Sequence, residues 1–324
     1  TRGNCRGPHR CDCRRMGRLQ FGLGLPYAAR QCAAANRRHV RCSLHSLDPR
    51  YRALLRDRFP AQGGHALANG RSPANPNDPP KLVAAQKADI AISYQPQLHI
   101  QTAEGLPLVR FGTLVATPLN TLVVLKDGPV ESVADLKGRK VGYSVGGFED
   151  ALLGAMLKKH GLALPDVELI NVNFSLSPSI ISGQVDAVIG AFRNFELNQM
   201  DIVGRPGRAF FVEEHGVPPY DELIYVAHKD RLGDPRLKKF LSAVERATQY
   251  IINHPGDAWM AFIDGRKELD DELNKRAWRD TLPRFALRPA ALDRGRYERF
   301  ATFMKESGLI DKDIKTGTYT AELK

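Results

Sequence analysis

The segment YSVGGFEDALLG, residues 143–154, combines a glycine-rich turn with acidic residues. Gly146 and Gly147 follow an apolar run, and an apolar pattern of helical spacing begins directly after them. Turns of this kind often bind anions, because backbone amides and the helix dipole point at the ligand. Glu149 and Asp150, however, place two carboxyl groups in the first helical turn, where they complement the dipole. The segment favours a small ligand without phosphate. A purely structural turn, and an anion site whose acids point away, are the alternatives.

Other small, aromatic and amide-bearing residues stand at the ends of predicted strands. In open α/β sheets the ligand binds beyond the carboxyl ends of the strands. The sequence shows no Ser-His-Asp set and no convincing metal cluster at these positions. Their joint placement predicts a cleft for a small molecule. The positions are Ser93 and Tyr94, Ser144 to Gly147, Asn173 and Phe174, and Gly190 to Asn194.

The elements that must position these residues alternate between strand and helix. β-Branched, apolar runs predict strands, and apolar residues at helical spacing predict helices. This alternation predicts an α/β fold, an open sheet with helices on both faces. Beyond Asp230 the pattern is helical to the end of the chain. Strands are predicted at 89–93, 108–115, 120–125, 185–189, 208–212 and 223–227, and helices at 81–88, 148–159 and 194–200.

One short pattern occurs twice. QKADIAIS, residues 86–93, resembles GQVDAVIG, residues 183–190: a helix end, an aspartate, and then a buried strand that ends in a small residue. Asp89 and Asp186 hold equivalent positions in the two copies. The repeat predicts the same helix–strand corner in two separate lobes, with chance similarity as the alternative.

The formal net charge of +11 is confined to the first quarter of the chain. Residues 1–80 hold 15 arginines and four aspartates but no lysine or glutamate, and acids and bases balance in the remainder. We therefore predict no nucleic-acid partner, and a segment 1–72 that is not natively folded, such as a frameshifted or mis-joined translation. A disordered basic extension is one alternative. A Cys/His metal site is the other, which the spacing of Cys11 and Cys13 disfavours.

Three segments carry a family resemblance: VESVADLKGRKVGYSVGGFEDALL, FSLSPSIISGQVDAVIGAFRNFELNQMD and EEHGVPPYDELIYVA. They resemble the substrate-binding proteins of thiamine-precursor ABC transporters, a family shared with alkanesulfonate-binding proteins and fungal thiamine pyrimidine synthases. The resemblance implies a two-lobed periplasmic-binding-protein type 2 fold with a hinge between the lobes. The substrate-binding domain would cover 73–324. Its first lobe would comprise about 74–118 plus 226–324, and its second lobe about 119–225.

The resemblance also implies a function: capture of a formylaminopyrimidine or hydroxymethylpyrimidine outside the cytoplasm, and delivery to an ABC permease. A monomer without a cofactor is expected. An aminopyrimidine needs a carboxylate or amide for its polar edge and aromatic rings for its faces. Glu196, with Asn194 beside it, is the predicted reader of the polar edge. The full set of predicted ligand-binding residues is Tyr94, Ser144, Gly146, Gly147, Phe148, Phe174, Asn194, Glu196, Tyr220 and Glu222.

Two other functions stay open. The fungal synthases bind pyridoxal phosphate through a GEFG loop, where this sequence has Gly146, Gly147, Phe148 and Glu149. A carboxylate beside a phosphate is unfavourable, and the cysteine cluster of those enzymes has no counterpart after residue 72. An alkanesulfonate binder would need cationic groups at the cleft, where only Arg193 is available. Residues 1–72 also contain no match to the DW…N…H strand with which the family usually opens its first lobe.

Overall fold

The computed structural model describes residues 77–323, which contain an antiparallel sheet of three strands and a mixed sheet of five strands. The prediction that residues 1–72 lack a native fold lies outside the described residues. The first sheet has the strand order β1-β8-β2, and the second has the order β5-β4-β6-β3-β7. The strands are β1 (Ala91–Ser93), β2 (Leu108–Val115), β3 (Asn120–Leu125), β4 (Lys140–Tyr143), β5 (Glu168–Asn171), β6 (Ala187–Phe192), β7 (Gly207–Phe211) and β8 (Leu223–His228).

Helices cover the faces of both sheets, as the α/β prediction requires. β2 and β3 coincide with their predicted ranges, because both are unbroken runs rich in buried β-branched residues. Every helix within the described range is too short or too polar to cross a lipid bilayer. The helices are α1 (Asp78–Ala84), α2 (Gln95–Ala103), α3 (Glu149–Lys159), α4 (Leu176–Ile181), α5 (Glu196–Ile202), α6 (Pro235–Asn253), α7 (Pro255–Ile263), α8 (Glu272–Thr281) and α9 (Arg294–Glu306).

The repeated sequence pattern corresponds to a repeated structure. Gln86 and Gly183, which open the two copies, both adopt left-handed backbone, with φ of 54° and 75°. β1 is antiparallel to β8 and β8 to β2, just as β6 is antiparallel to β3 and β3 to β7. The two sheets therefore share one three-strand unit. In the second sheet β4 extends this unit as a parallel neighbour of β6, whereas β1 has no such neighbour among residues 77–323.

The chain crosses between the sheets twice, after β2 and before β8. β8 lies wholly in the first sheet, so the predicted boundary at 225 would fall inside a strand. We propose that the hinge is formed by residues 116–119 and 212–222. In this division the first lobe holds the first sheet, and the second lobe holds the second sheet.

Helices from the end of the chain return to the first sheet. Leu237 and Leu241 of α6 pack in one core cluster with Phe111 of β2. Near the C-terminus, residue 320 forms a parallel bridge with Arg110, supported by hydrogen bonds from Arg110 N to Tyr319 O and from Ala321 N to Arg110 O, both 2.8 Å. The first lobe is thus built from segments about two hundred residues apart in sequence.

Candidate functional site

Glu149 is buried beneath the glycine-rich turn. Its side chain is 2% exposed, and its carboxylate accepts hydrogen bonds from Ser144 N at 2.7 Å, Ser144 Oγ at 2.9 Å and Val145 N at 3.0 Å. Burial raises the pKa of the Glu149 carboxyl to about 7, although these hydrogen bonds favour the charged form. The predicted role of Glu149 as a helix-dipole partner is therefore incomplete, because this carboxyl also organises the loop after β4.

The loop geometry depends on glycine at two points. Gly190, at φ 96°, faces the Glu149 carboxyl so closely that a Cβ atom would lie 2.5 Å from it. Gly147 has the same φ, and its amide donates to Asp150 Oδ1 at 2.9 Å. Gly146 and Gly147 are exposed, as expected for a turn that borders a cleft. The adjacent strand ends β4 and β6 therefore meet at the Glu149 carboxyl.

Glu196, the predicted reader of the polar edge, is buried. Its side chain is 5% exposed and accepts a hydrogen bond from Phe192 N at 2.6 Å, closing the turn into α5. Burial raises the pKa of the Glu196 carboxyl to about 8, and the neighbouring Glu149 raises this pKa further. The contact of Glu196 with a ligand stays a prediction.

Glu222 lies at the centre of the same region, and its side chain is 0% exposed. Its Oε2 atom accepts from Leu119 N at 2.7 Å, Asn120 N at 3.0 Å and the Tyr220 hydroxyl at 3.0 Å. Burial raises the pKa of the Glu222 carboxyl, while the three donors and Arg193 lower this pKa. The other oxygen, Oε1, is buried and has no hydrogen-bond partner.

Asn120, at the start of β3, stands beside Glu222. Its Oδ1 atom accepts from Gly190 N at 3.1 Å, whereas its Nδ2 atom is buried without a partner. The site therefore includes a buried acceptor without a partner, Glu222 Oε1, and a buried donor without a partner, Asn120 Nδ2. The sequence analysis missed Asn120, because polar residues often open strands shortly after a proline and give no sign of a functional role.

The Arg193 guanidinium is paired through both terminal nitrogens, whereas its Nε atom is buried without a partner. Its guanidinium donates to both carboxylate oxygens of Glu213, at 2.7 and 2.8 Å, and to Asn120 O at 3.1 Å. It also lies over the Phe211 ring, 4.1 Å from the ring centroid. Such a bidentate, stacked pair leaves little charge for an anionic ligand.

The predicted aromatic residues are only partly brought together. Tyr94 and Phe148, from the ends of β1 and β4, stack with ring centroids 5.2 Å apart. Tyr220 packs on Phe300 at 5.2 Å and is fully buried. Phe174 is half-buried, and no aromatic contact of it occurs within the part of the chain that the structure describes. Tyr94 and Phe148 thus link the two lobes across the cleft.

Asn194 connects the site to α8. Its Nδ2 atom donates to Thr281 Oγ1 at 2.7 Å, and its Oδ1 atom is buried without a partner. Sequence reasoning missed Thr281, because its partner is 87 residues away in the chain.

Two further features bear on the chemistry. No group of three His, Cys, Asp or Glu side chains within residues 77–323 could hold a metal ion. A pocket of about 110 Å³ lies elsewhere, between residues 124–130 and 180–186, and it contains none of the predicted site residues. The buried polar cluster at the strand ends, not this pocket, is the candidate site.

Comparison with known proteins gives a consistent picture. A family model described as NMT1/THI5 like matches residues 71–258. A Haemophilus influenzae protein named for thiamine biosynthesis is 56% identical, over 78% of this chain and 80% of its own length. A formylaminopyrimidine-binding protein from Halalkalibacterium halodurans is 31% identical, over 62% of each chain. A 4-amino-5-hydroxymethyl-2-methylpyrimidine phosphate synthase from Schizosaccharomyces pombe is 26% identical, over 75% of this chain and 73% of its own.

Solved structures with low sequence identity share the fold. The alkanesulfonate-binding protein SsuA from Xanthomonas axonopodis pv. citri, bound to MOPS, has a TM-score of 0.62 at 15% identity, covering 76% of this chain and 85% of that one. A Candida albicans protein with the generic periplasmic binding protein fold has a TM-score of 0.60 at 15% identity, covering 78% and 85%. The predicted two-lobed periplasmic-binding-protein fold is confirmed.

Proposed function

Because this chain belongs to the NMT1/THI5-like family, we propose that it is the solute-binding component of an ABC importer and captures a thiamine-precursor aminopyrimidine outside the cytoplasm. It makes and breaks no covalent bonds. Its function is selective capture, closure of the lobes, and delivery of the ligand to a membrane permease. We expect it to act as a monomer.

One observation carries this proposal: the unpaired atoms Glu222 Oε1 and Asn120 Nδ2. A buried polar atom without a partner costs about 1–3 kcal/mol, so both atoms favour a ligand that satisfies them. Three donors on Oε2 keep Glu222 an acceptor. A 4-aminopyrimidine offers a ring nitrogen that accepts and an adjacent amine that donates. Its polar edge therefore complements this pair, and we move the proposed recognition carboxylate from Glu196 to Glu222.

The aromatic and amide groups complete the proposed site. The stacked rings of Tyr94 and Phe148 are 7% and 3% exposed, so we propose that they cover one face of the pyrimidine only once the lobes have opened to admit it. Asn194 Oδ1, also unpaired, is a further acceptor for an amine or hydroxyl group of the ligand. Ser144, Gly146, Gly147 and Phe174 are proposed to line the cleft rather than to bind the polar edge.

The synthase relatives suggest a second candidate, an enzyme that uses pyridoxal phosphate. The residues present do not fit that group. The phosphate loop of the synthases corresponds to residues 146–149, where the Gly147 amide already donates to Asp150 Oδ1 and the Glu149 amide donates to Val145 O. We therefore favour binding over catalysis, and the paired Arg193 likewise disfavours an alkanesulfonate.

Calorimetry tests the proposal with three probes: 4-amino-5-hydroxymethyl-2-methylpyrimidine, pyridoxal phosphate and MOPS. We expect binding of the first alone. Glu222→Gln should weaken that binding about ten- to a hundred-fold, because a charge-assisted hydrogen bond shielded from water is lost. Glu214→Gln, an exposed acid on the same crossing segment, is the matched control and should bind like wild type. Tight binding of pyridoxal phosphate, or unchanged affinity in Glu222→Gln, would contradict the proposal.

A further inference from the structure

Three side-chain contacts join α5 of the second lobe to α8. Asn194 Nδ2 donates to Thr281 Oγ1 at 2.7 Å, Asn198 Nδ2 donates to Asp280 Oδ2 at 2.7 Å, and Arg276 Nη1 donates to Asp201 Oδ2 at 2.6 Å. Positions rise along α5 as they fall along α8, so the two helices run antiparallel and the contacts form one row. We call these six residues the α5–α8 latch.

The latch joins the two proposed lobes, because α8 is anchored to the first of them. Trp278 packs its ring on Phe262 and Trp259 of α7, with centroids 5.3 and 5.7 Å away. α7 in turn packs on α6, and α6 packs its leucines on the first sheet. α5, by contrast, directly follows β6 of the second sheet. Moving the lobes apart as rigid bodies would therefore break all three contacts.

The latch is graded from the buried site to the solvent. Asn194 and Thr281 are 3% and 2% exposed, whereas the side chains of Arg276 and Asp201 are 30% and 61% exposed. A buried hydrogen bond leaves unsatisfied groups when it breaks, while an exposed ion pair contributes little. The inner contact, between Asn194 and Thr281, therefore contributes most of the free energy by which the latch stabilises the closed lobes.

We infer that Thr281 and Asn198, neither of which contacts the proposed ligand atoms, set the equilibrium between open and closed lobes and thereby the affinity of the site. A protein whose binding-competent state is only partly populated binds more weakly by that fraction. Weakening the latch lowers the closed population and leaves Glu222 and Asn120, which read the polar edge, unchanged. Thr281→Val also frees the Nδ2 atom of Asn194, a proposed ligand contact, so Asn198→Asp and hydrogen exchange without ligand separate closure from recognition. This inference rests on the proposed function only in its affinity test, which uses the aminopyrimidine as ligand.

The main test is Thr281→Val, which keeps the side-chain shape but removes the hydroxyl that accepts from Asn194 and donates to Ala277 O. Thr302→Val on α9 is the matched control, because Thr302 Oγ1 donates to Glu298 O four residues back within its own helix, as Thr281 does to Ala277. We expect Thr281→Val to weaken binding of 4-amino-5-hydroxymethyl-2-methylpyrimidine about five- to twenty-fold, and Thr302→Val to change it less than twofold.

A second pair guards against a folding defect in Thr281→Val. Asn198→Asp places a carboxylate against Asp280 in a partly exposed position. Its control is Asn253→Asp on α6, since both asparagines donate to a backbone carbonyl four residues back. Asn198→Asp should weaken binding about five- to twenty-fold at low salt, and added salt should restore part of the affinity by screening the repulsion. Asn253→Asp should leave affinity unchanged.

Hydrogen exchange without ligand decides the inference even if the aminopyrimidine does not bind. Amides in 194–202 and 272–281 should exchange several-fold faster in Thr281→Val and Asn198→Asp than in their controls. If wild type fails to bind the probe but the exchange differs as stated, the proposed function falls and the latch stands. If exchange in both latch variants matches that of the controls, the latch is overturned, whatever the affinities.

Discussion

The two sheets contain the same three-strand unit but differ in what flanks it. In the second lobe, β4 pairs with β6, and the loop after β4 supplies the Glu149 carboxyl that packs on Gly190. In the first lobe, β1 occupies the place of β6 and ends in Ser93, and no strand pairs with its other edge within residues 77–323. The equivalent strand-end position is therefore Ser93 in the first lobe, where a side chain fits, and must be glycine at 190 in the second lobe. Residue choice at a repeated position follows from the neighbouring strand, not from the repeat itself.

Gly190 and Ser93 hold the two equivalent strand ends, and substituting each by the other's residue should give the largest effect on stability. Gly190→Ser places a Cβ atom 2.5 Å from the Glu149 carboxyl at φ 96°, so we expect a loss of about 3–5 kcal/mol in the free energy of unfolding. Ser93→Gly removes the hydrogen bond from Ser93 Oγ to Gln97 Oε1, and we expect a loss of about 1–1.5 kcal/mol. Urea unfolding measures both. Equal losses would mean that the two strand ends are equivalent after all.

The lobes should also respond to pH with opposite sign. The Glu149 carboxyl has a folded pKa of about 7, above its ordinary value of 4.5, so its contribution to stability is full below pH 4.5 and is lost as pH rises to 7. His99 is buried in the first lobe, and burial lowers its pKa from 6.5 to about 3. Its contribution is full above pH 6.5 and is lost as pH falls toward 3.

Single variants separate these two opposing dependences. Glu149→Gln should flatten the decline in stability between pH 4.5 and 7, and His99→Gln should flatten the decline below pH 6.5, each by on the order of 2 kcal/mol. Urea midpoints measured from pH 4 to pH 8 provide the check. The same slope in wild type and both variants would show that neither group titrates as its burial implies.

The smallest effect concerns the repeated aspartates. Asp186 Oδ2 accepts from Lys140 N of β4 at 2.9 Å, whereas the described contact of Asp89 is an exposed ion pair with Arg236 at 3.4 Å. Asp186→Asn should therefore lower the free energy of unfolding by about 1 kcal/mol, and Asp89→Asn by less than about 0.5 kcal/mol. Thermal midpoints of the two variants give the comparison. A larger loss of unfolding free energy in Asp89→Asn than in Asp186→Asn would contradict the expectation that Asp186 contributes more to stability.

Local patterns were sufficient to predict much of the fold. β2 and β3 are largely apolar runs that include several β-branched residues. The repeated corner has its turn residue, its aspartate and its strand in order, so each of these elements could be predicted without tertiary information. The likeness of three segments to a known family supplied the two-lobed arrangement. The combination of parallel and antiparallel pairing in the second sheet is a tertiary property that local periodicity does not encode.

The polar centre of the site was harder to predict. Tyr94 and Phe148 were identified at strand ends, and the structure brings their rings together. The burial of Glu149 and Glu196 was missed, because an acid in a first helical turn is ordinarily solvated. Asn120 was missed for a related reason: its Nδ2 atom gains significance only beside Glu222, which is 102 residues away. Such pairs exist only after the chain has folded.

The bridge between Arg110 and residue 320 has a consequence for the order of folding. Strands β3 to β7 lie within residues 120–211, so the second sheet closes through contacts of moderate sequence separation. The first sheet needs β8 between β1 and β2, and its outer contact waits for the last residues of the chain. Contacts of long sequence separation form slowly, and domains made of contiguous sequence fold first during synthesis. On the ribosome, the second lobe can therefore fold while the first still lacks its central strand.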